Sequence, residues 1–273
     1  MDISGLKEKA QILRRDIVDI SYHAEGPSHP GPALSIADIV SALYFRVMDV
    51  DPANPSWEDR DRLVLSKGHA CPAVYAALAE RGYFDKSWLS TVRRLDSRLQ
   101  GHPDMNKTPG VDMTSGSLGN GLSLGLGIAL ALGLLKKSCR VFVILGDGEL
   151  QEGMVWEAAM SAAALKAGNL IAIVDNNRYQ SCGTTCGIVP VEPIRAKWES
   201  FGWSASEIDG HDMAEIVKSL ETAKQSAGPP AAIIARTVKG KGVSFMENDN
   251  AWHQKAPTAE QYGMAMRELD GPA

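Results

Sequence analysis

Cysteine is sparse. Four residues in a chain of 273 are too few for a disulfide scaffold, and only Cys182 and Cys186 lie near one another, with no second Cys or His pair at zinc-site spacing. Reduced thiols in a cytoplasmic protein are the expectation. Net charge is also small. A formal value of −5 carries no basic excess for binding nucleic acid or a membrane surface. "MDISGLKEKAQILRRDIVDI" alternates charged with apolar positions and is expected to be an amphipathic helix, not a cleaved signal peptide. No apolar run is long enough to suggest a span. The best candidate, residues 118–135, is broken by Asn120, Ser123 and several glycines, so it reads as a buried helix. Internal repeats, low-complexity tracts and long linkers are lacking as well.

What is present is apolar and ordered in blocks. A hydrophobic content of 44% suits one large α/β domain, expected to occupy residues 1–273. "IVSALYFRVM" has helical periodicity, and "DRLVLSKGHACPAVYAALAERGYF" reads as a short strand, a glycine turn and a helix. "RVFVILGD", "NLIAIVDNN" and "PAAIIARTVKG" are strands apolar on both faces. Between the first two, residues 150–166 are rich in Ala, Met, Glu and Leu, with Gly168 placed to stop a helix. Residues 248–273 read as irregular, then weakly helical. This alternation predicts a mainly parallel sheet with helices on both faces.

A strand–helix–strand crossover brings the carboxyl ends of both strands to one sheet edge, where open α/β sheets bind ligands. Asp147, after the first strand, is thus a predicted neighbour of Asn177, after the second. Asp147 offers one anionic oxygen, Asn177 a neutral amide oxygen and Tyr179 a backbone carbonyl. One carboxylate with neutral oxygens suits Mg2+, with Ca2+ or Mn2+ able to use the same atoms, and leaves the cation charge to spare for a diphosphate. Gly146 and Gly148 would let backbone N–H groups approach phosphate oxygens, and the following helix would aim its positive end there.

"GDGELQEGMVWEAA…GNLIAIVDNN" closely resembles the thiamine diphosphate motif of transketolases. "SHPGPALSIADIVSALY", "NPSWEDRDRLVLSKGHA", "GHPDMNKTPGVDMTSGSLGNGLSLGLG" and "TVKGKG…AWHQKAPT" resemble transketolase segments in the family order. The resemblance implies that Asp147, Asn177 and the Tyr179 carbonyl hold the metal and that Gly148 contacts the diphosphate. Gly116 and Leu118 would lie against the cofactor, with Lys67 and Lys255 as basic positions nearby. His29, His69, His102 and His253 would face cofactor and sugar, and Glu152 would link paired active sites across a subunit interface. His23 and His211 are read as structural. The activity implied is transfer of a two-carbon ketol group from a ketose to an aldose, with or without phosphates on the sugars.

Family members of full length carry further pyrimidine-binding and C-terminal domains, and nothing in this sequence resembles them. The resemblance therefore implies an N-terminal, diphosphate-binding subunit. It would work with a C-terminal partner that binds the pyrimidine, as an α2β2 heterotetramer. Two alternatives are another split thiamine diphosphate enzyme, making an acyloin or a deoxy-sugar, and a non-catalytic regulatory relative. "SCG" at residues 181–183 departs from the family, where many members carry an acidic residue before this glycine.

Overall fold

A computed structural model describes residues 1–271; Pro272 and Ala273, the end of the expected domain, lie outside the described residues. Helices α1 (Ile3–His23), α2 (Pro30–Leu34) and α3 (Ala37–Ala42) come first, and a π-turn over Leu43–Val47 prolongs α3. Strand β1 (Arg62–Leu65), α4 (Cys71–Arg81), α5 (Asn120–Leu134), β2 (Val141–Gly146), α6 (Gly153–Ala164) and β3 (Leu170–Asn176) follow. A small ribbon, β4 (Tyr179–Gln180) against β5 (Gly183–Thr184), leads into α7 (Thr185–Ile188) and α8 (Ile194–Ser200). Then come β6 (Ser204–Asp209), α9 (Met213–Gln225), β7 (Ala231–Arg236) and α10 (Ala259–Asp270).

Five strands form one parallel sheet in the order β1-β2-β3-β7-β6. The three strands read from long apolar runs are its interior members, β2, β3 and β7. Their side chains alternate between two cores. Phe142, Ile144, Ile171 and Ile173 pack with α1, α3, α4 and α9. Val143, Leu145, Ala172 and Val174 pack with α5, α6 and α8. Each buried aliphatic side chain of this kind contributes about 1.5–3 kcal/mol. Burial on both faces is why these strands lack a polar alternation. Edge strand β6, "SASEID", escaped the sequence reading because only Ile208 of its six residues is buried.

Several local expectations need correction. The run 118–135 forms α5, but it is only half-buried: Leu122, Leu126 and Ala129 face the core, while Leu134 is 86% exposed and Leu135 67% exposed. The helix expected from residue 150 starts at Gly153, because Gly148–Gln151 forms a single 3-10 turn. It ends at Ala164, and Lys166 (φ 52°) takes the left-handed position expected of Gly168. Gly168 instead permits close approach, since a Cβ there would lie 2.4 Å from the Gly228 carbonyl oxygen. The tail forms a firmer helix than expected. Thr258 and Gln261 make a capping box for α10, which is tied to α1 through Tyr262 Oη donating to Asp19.

The glycines of α5 give a test. A Cβ at Gly125 would meet Val143 at 2.5 Å, whereas one at Gly127 would meet nothing within 4 Å. Gly125→Ala is expected to cost about 1–3 kcal/mol through overpacking, and Gly127→Ala to add about 0.5–1 kcal/mol of stability. Urea midpoints of the two variants check this.

Candidate active site

Strand register assembles the site. Gly146 pairs with Asp175, and Asn176 with Arg236, so the segments leaving β2, β3 and β7 meet at one edge. A cleft of about 420 Å³ opens there, lined by His29, Lys67, His69, His102, Gly116, Leu118, Asp147, Gly148, Glu152, Asn177, Tyr179 and His253. Of the residues singled out from sequence, Lys255 alone does not line it. Its ammonium lies 4.4 Å from the centre of the Trp252 ring, and its backbone N–H donates to Ser28. A larger cavity of about 1100 Å³ shares only Asn177 and Tyr179 with this cleft. None of the four designated histidines lines it, so size does not mark the chemistry here.

The oxygen edge has an uncompensated charge. Asp147 is 1% exposed, and its carboxyl is pushed up to about 7 by burial first and by Asp175 second. It accepts from the backbone N–H of Gly148 at 2.8 Å and of Arg178 at 2.7 Å. Tyr179 N–H donates to Asn177 Oδ1 at 3.0 Å, which fixes the amide beside the carboxylate. Among the described residues no cluster of three or more His, Cys, Asp or Glu exists to hold a metal. A cation at this edge would therefore rest on one carboxylate and neutral oxygens, a donor set that suits Mg2+. It would also supply the charge that returns Asp147 to its ionised form.

Other expectations about the edge are revised. The Gly146 and Gly148 N–H groups do not stand free for a phosphate, because Glu149 and Asp147 accept them. Gly148 matters for space: a Cβ would lie 2.8 Å from that of Gln180. The positive end expected to follow is one 3-10 turn, and exposed Glu152 occupies the N-cap of α6.

The imidazoles gather from three parts of the chain. His29 precedes α2, His69 sits in the 3-10 turn Gly68–Ala70 after β1, and His253 follows the turn Asn250–Trp252. Their ring centres are 5.1–5.6 Å apart. His102 packs against Gly116, whose φ of 148° and missing Cβ admit the ring. Burial pushes His29 down to about 4, helped by His102, Arg93 and Lys239. Burial, Lys239, His29 and Lys67 take His253 to about 3. Burial and Lys67 lower His69, and burial and Arg93 lower His102. Near neutral pH the cluster is a set of uncharged imidazoles, able to accept or donate protons without repelling a cation. His23 and His211 stand apart from it. His23 pairs with Asp19 at 3.2 Å, and His211 braces the fold, bonded to Asp38 and accepting from the N–H of Val238, each at 2.8 Å.

The sequence matches, over residues 6–269, the family described as transketolase, thiamine diphosphate binding domain. The chain belongs to the transketolase family. It is 45% identical to 6-deoxy-6-sulfo-D-fructose transketolase subunit SqwG of Clostridium sp. (strain MSTE9), covering 97% of this chain and 96% of that one. Identity to an apulose-4-phosphate transketolase subunit of Actinobacillus succinogenes is 41%, covering 97% and 95%. The crystal structure of Campylobacter jejuni transketolase matches with a TM-score of 0.90 at 34% identity, covering 98% of this chain and 43% of that one. The full-length match to proteins named as subunits makes this chain a transketolase subunit, and an enzyme component.

Two residues of this transketolase subunit were missed from sequence. Lys239, in "TVKGKG", is fully buried and donates to Asn250 Oδ1 and His253 Nδ1, each at 2.9 Å. Burial and Lys67 bring it down to about 8. Its place in "TVKGKG", one of the segments that carry the family resemblance, was the available signal. Asp175 is also fully buried and accepts from Lys67, Thr237, Ser35 and Asn177. A buried ion pair across strands leaves no mark in sequence.

Two outcomes are expected. Asp175→Ala should destabilise the fold by about 3–5 kcal/mol, because it leaves Lys67 buried and unpaired; much of that loss should return in Lys67→Met/Asp175→Leu. Denaturation midpoints of the three proteins decide. Separately, His29 and His253 should keep neutral-ring nitrogen shifts at pH 5.5 in the ligand-free protein, read by two-dimensional NMR. The unfolded chain takes up these protons near the ordinary value of 6.5, and the folded one only near about 4 and about 3. Stability from these groups is therefore lost as pH falls through that window. Imidazolium shifts at pH 5.5 would contradict this.

Proposed function

We propose that this chain is the diphosphate-binding half of a two-chain transketolase, which moves a two-carbon ketol group from a ketose to an aldose. A separate C-terminal subunit supplies the pyrimidine-binding half. The reading is carried by one observation: Asp147, Asn177 and Tyr179 share a cleft with His29, His69, His102 and His253. The relatives support it. Those named as subunits match end to end, while the chain spans 40% of human transketolase at 39% identity. On this reading residues 1–273 are a single diphosphate-binding domain.

Bound thiamine diphosphate supplies an electron sink that lets the carbon–carbon bond beside a ketone be broken and remade. The residues of this chain do the rest. Asp147, Asn177 and the Tyr179 carbonyl would hold Mg2+, and the Gly148 segment would lie along the diphosphate. Gly116 and Leu118 would bear on the ring end. His29, His69, His102 and His253 would move protons on sugar hydroxyls, each starting uncharged. Lys239 would orient His253 through its Nδ1 and add positive charge. The sugars are proposed to carry an anionic group, as in the names of the sulfofructose and apulose-4-phosphate relatives.

The assembly is proposed as α2β2. The outer face of α5 and α6 exposes Leu134, Leu135, Met160 and Leu165, an apolar surface that suits burial against another chain. Glu152 stands at the opposite, N-terminal end of the same helices, beside Gly119, and its role between paired sites is proposed from the family resemblance. A cytoplasmic location is proposed on the four free cysteines; among the described residues no helix is long and apolar enough to cross a membrane.

With the partner chain present, Asp147→Ala should abolish ketol transfer through lost cofactor binding. Calorimetry with thiamine diphosphate and limiting Mg2+, run beside an activity assay, checks this. Full activity in the variant would overturn the site.

A further inference from the structure

Glu149 is a buried carboxylate that none of the roles above uses. It is 3% exposed and sits in the 3-10 turn directly after Asp147 and Gly148. Oε1 accepts from Ser66 Oγ and from the backbone N–H of Gly119, the latter at 2.8 Å. Oε2 accepts from the backbone N–H of Gly146 at 3.0 Å. These three donors belong to three separate segments: the turn after β1, the N-cap of α5 and the end of β2.

We infer that Glu149 is a positioning residue that couples the diphosphate end of the cleft to its ring end. The inference rests on the diphosphate site proposed above. Gly146 and the carboxylate belong to the segment that would meet the diphosphate. Gly119 directly follows Leu118 and caps α5, a helix without a side-chain cap of its own. Glycine contacts make the far loop rigid. A Cβ on Gly121 would lie 2.3 Å from that of Ser66, and one on Gly68 would lie 2.8 Å from the Gly116 nitrogen. The segment carrying Gly116 and Leu118 therefore cannot shift without the turn after β1, and both hang on Oε1. An anion that moves Gly146–Gly148 pulls on Oε2 and is felt at Oε1.

A carboxylate is needed for this. It accepts on both oxygens at once, whereas an amide of the same shape turns a donor toward either Gly146 N–H or the Ser66–Gly119 pair. Glu149→Gln keeps the volume and loses one branch.

Magnesium pyrophosphate is the probe, because it can fill the diphosphate end without touching the ring end. Hydrogen exchange of the full chain is followed by mass spectrometry over residues 114–122, with and without the probe. In the wild type the probe should slow exchange there by about tenfold. In Glu149→Gln that slowing should disappear while calorimetry shows pyrophosphate still bound. Slowing that persists in the variant overturns the inference, and so does wild-type binding without any slowing. Should the wild type fail to bind magnesium pyrophosphate, the diphosphate site itself is wrong, and the coupling falls with it. If Glu149→Gln does not fold, Glu149→Asp keeps the charge but is one methylene too short to hold Gly146 and Gly119 at once; unchanged transmission in that variant overturns the inference too.

Discussion

One buried carboxylate holds the functional edge together. Asp175, at the end of β3, accepts from Lys67 beyond β1, from Ser35 between α2 and α3, from Asn177 in its own segment and from Thr237 after β7. Lys67 also donates to the Pro32 carbonyl at 2.9 Å. Four segments that share no local sequence are thereby drawn to one point. The arrangement is demanding, because two charges taken from water must be matched by good geometry and further hydrogen bonds. It also sets the electrostatics next door. Asp175 is answered by Lys67, while Asp147 beside it forms no ion pair among the described residues and is raised by burial and by Asp175.

The same desolvation that raises Asp147 lowers the histidines. Both effects come from burial, which disfavours the charged form of a carboxylate and of an imidazolium alike. Lys239 belongs to this balance. Buried beside Lys67, it is held below the usual lysine range, and an anionic ligand would favour its charged form.

Much of this was legible in the chain. The interior strands β2, β3 and β7 announce themselves as unbroken apolar runs, and the crossover between the first two predicts that Asp147 and Asn177 meet. Their register confirms the geometry, with Gly146 opposite Asp175. Edge strand β6 was hidden because five of its six residues are exposed or half-buried, so no apolar run forms. Gly168 misled because a glycine after a helix usually stops it; here Lys166 does so, and Gly168 answers to the chain passing at Gly228. Lys255 lies close in sequence to His253, yet its ammonium sits over the Trp252 ring and it does not line the cleft.

Sequence by itself determined the parallel sheet, the strand ends that carry Asp147 and Asn177 and the loops that carry histidines, because local propensity and periodicity decide those features. Only the tertiary structure decided how they are charged and braced. The Lys67–Asp175 pair, the grip of Glu149 on Ser66 and Gly119 and the place of Lys239 beside His253 join residues from separate segments of the chain. Their energies depend on burial and on distances of a few ångströms, and neither quantity exists until the chain has folded.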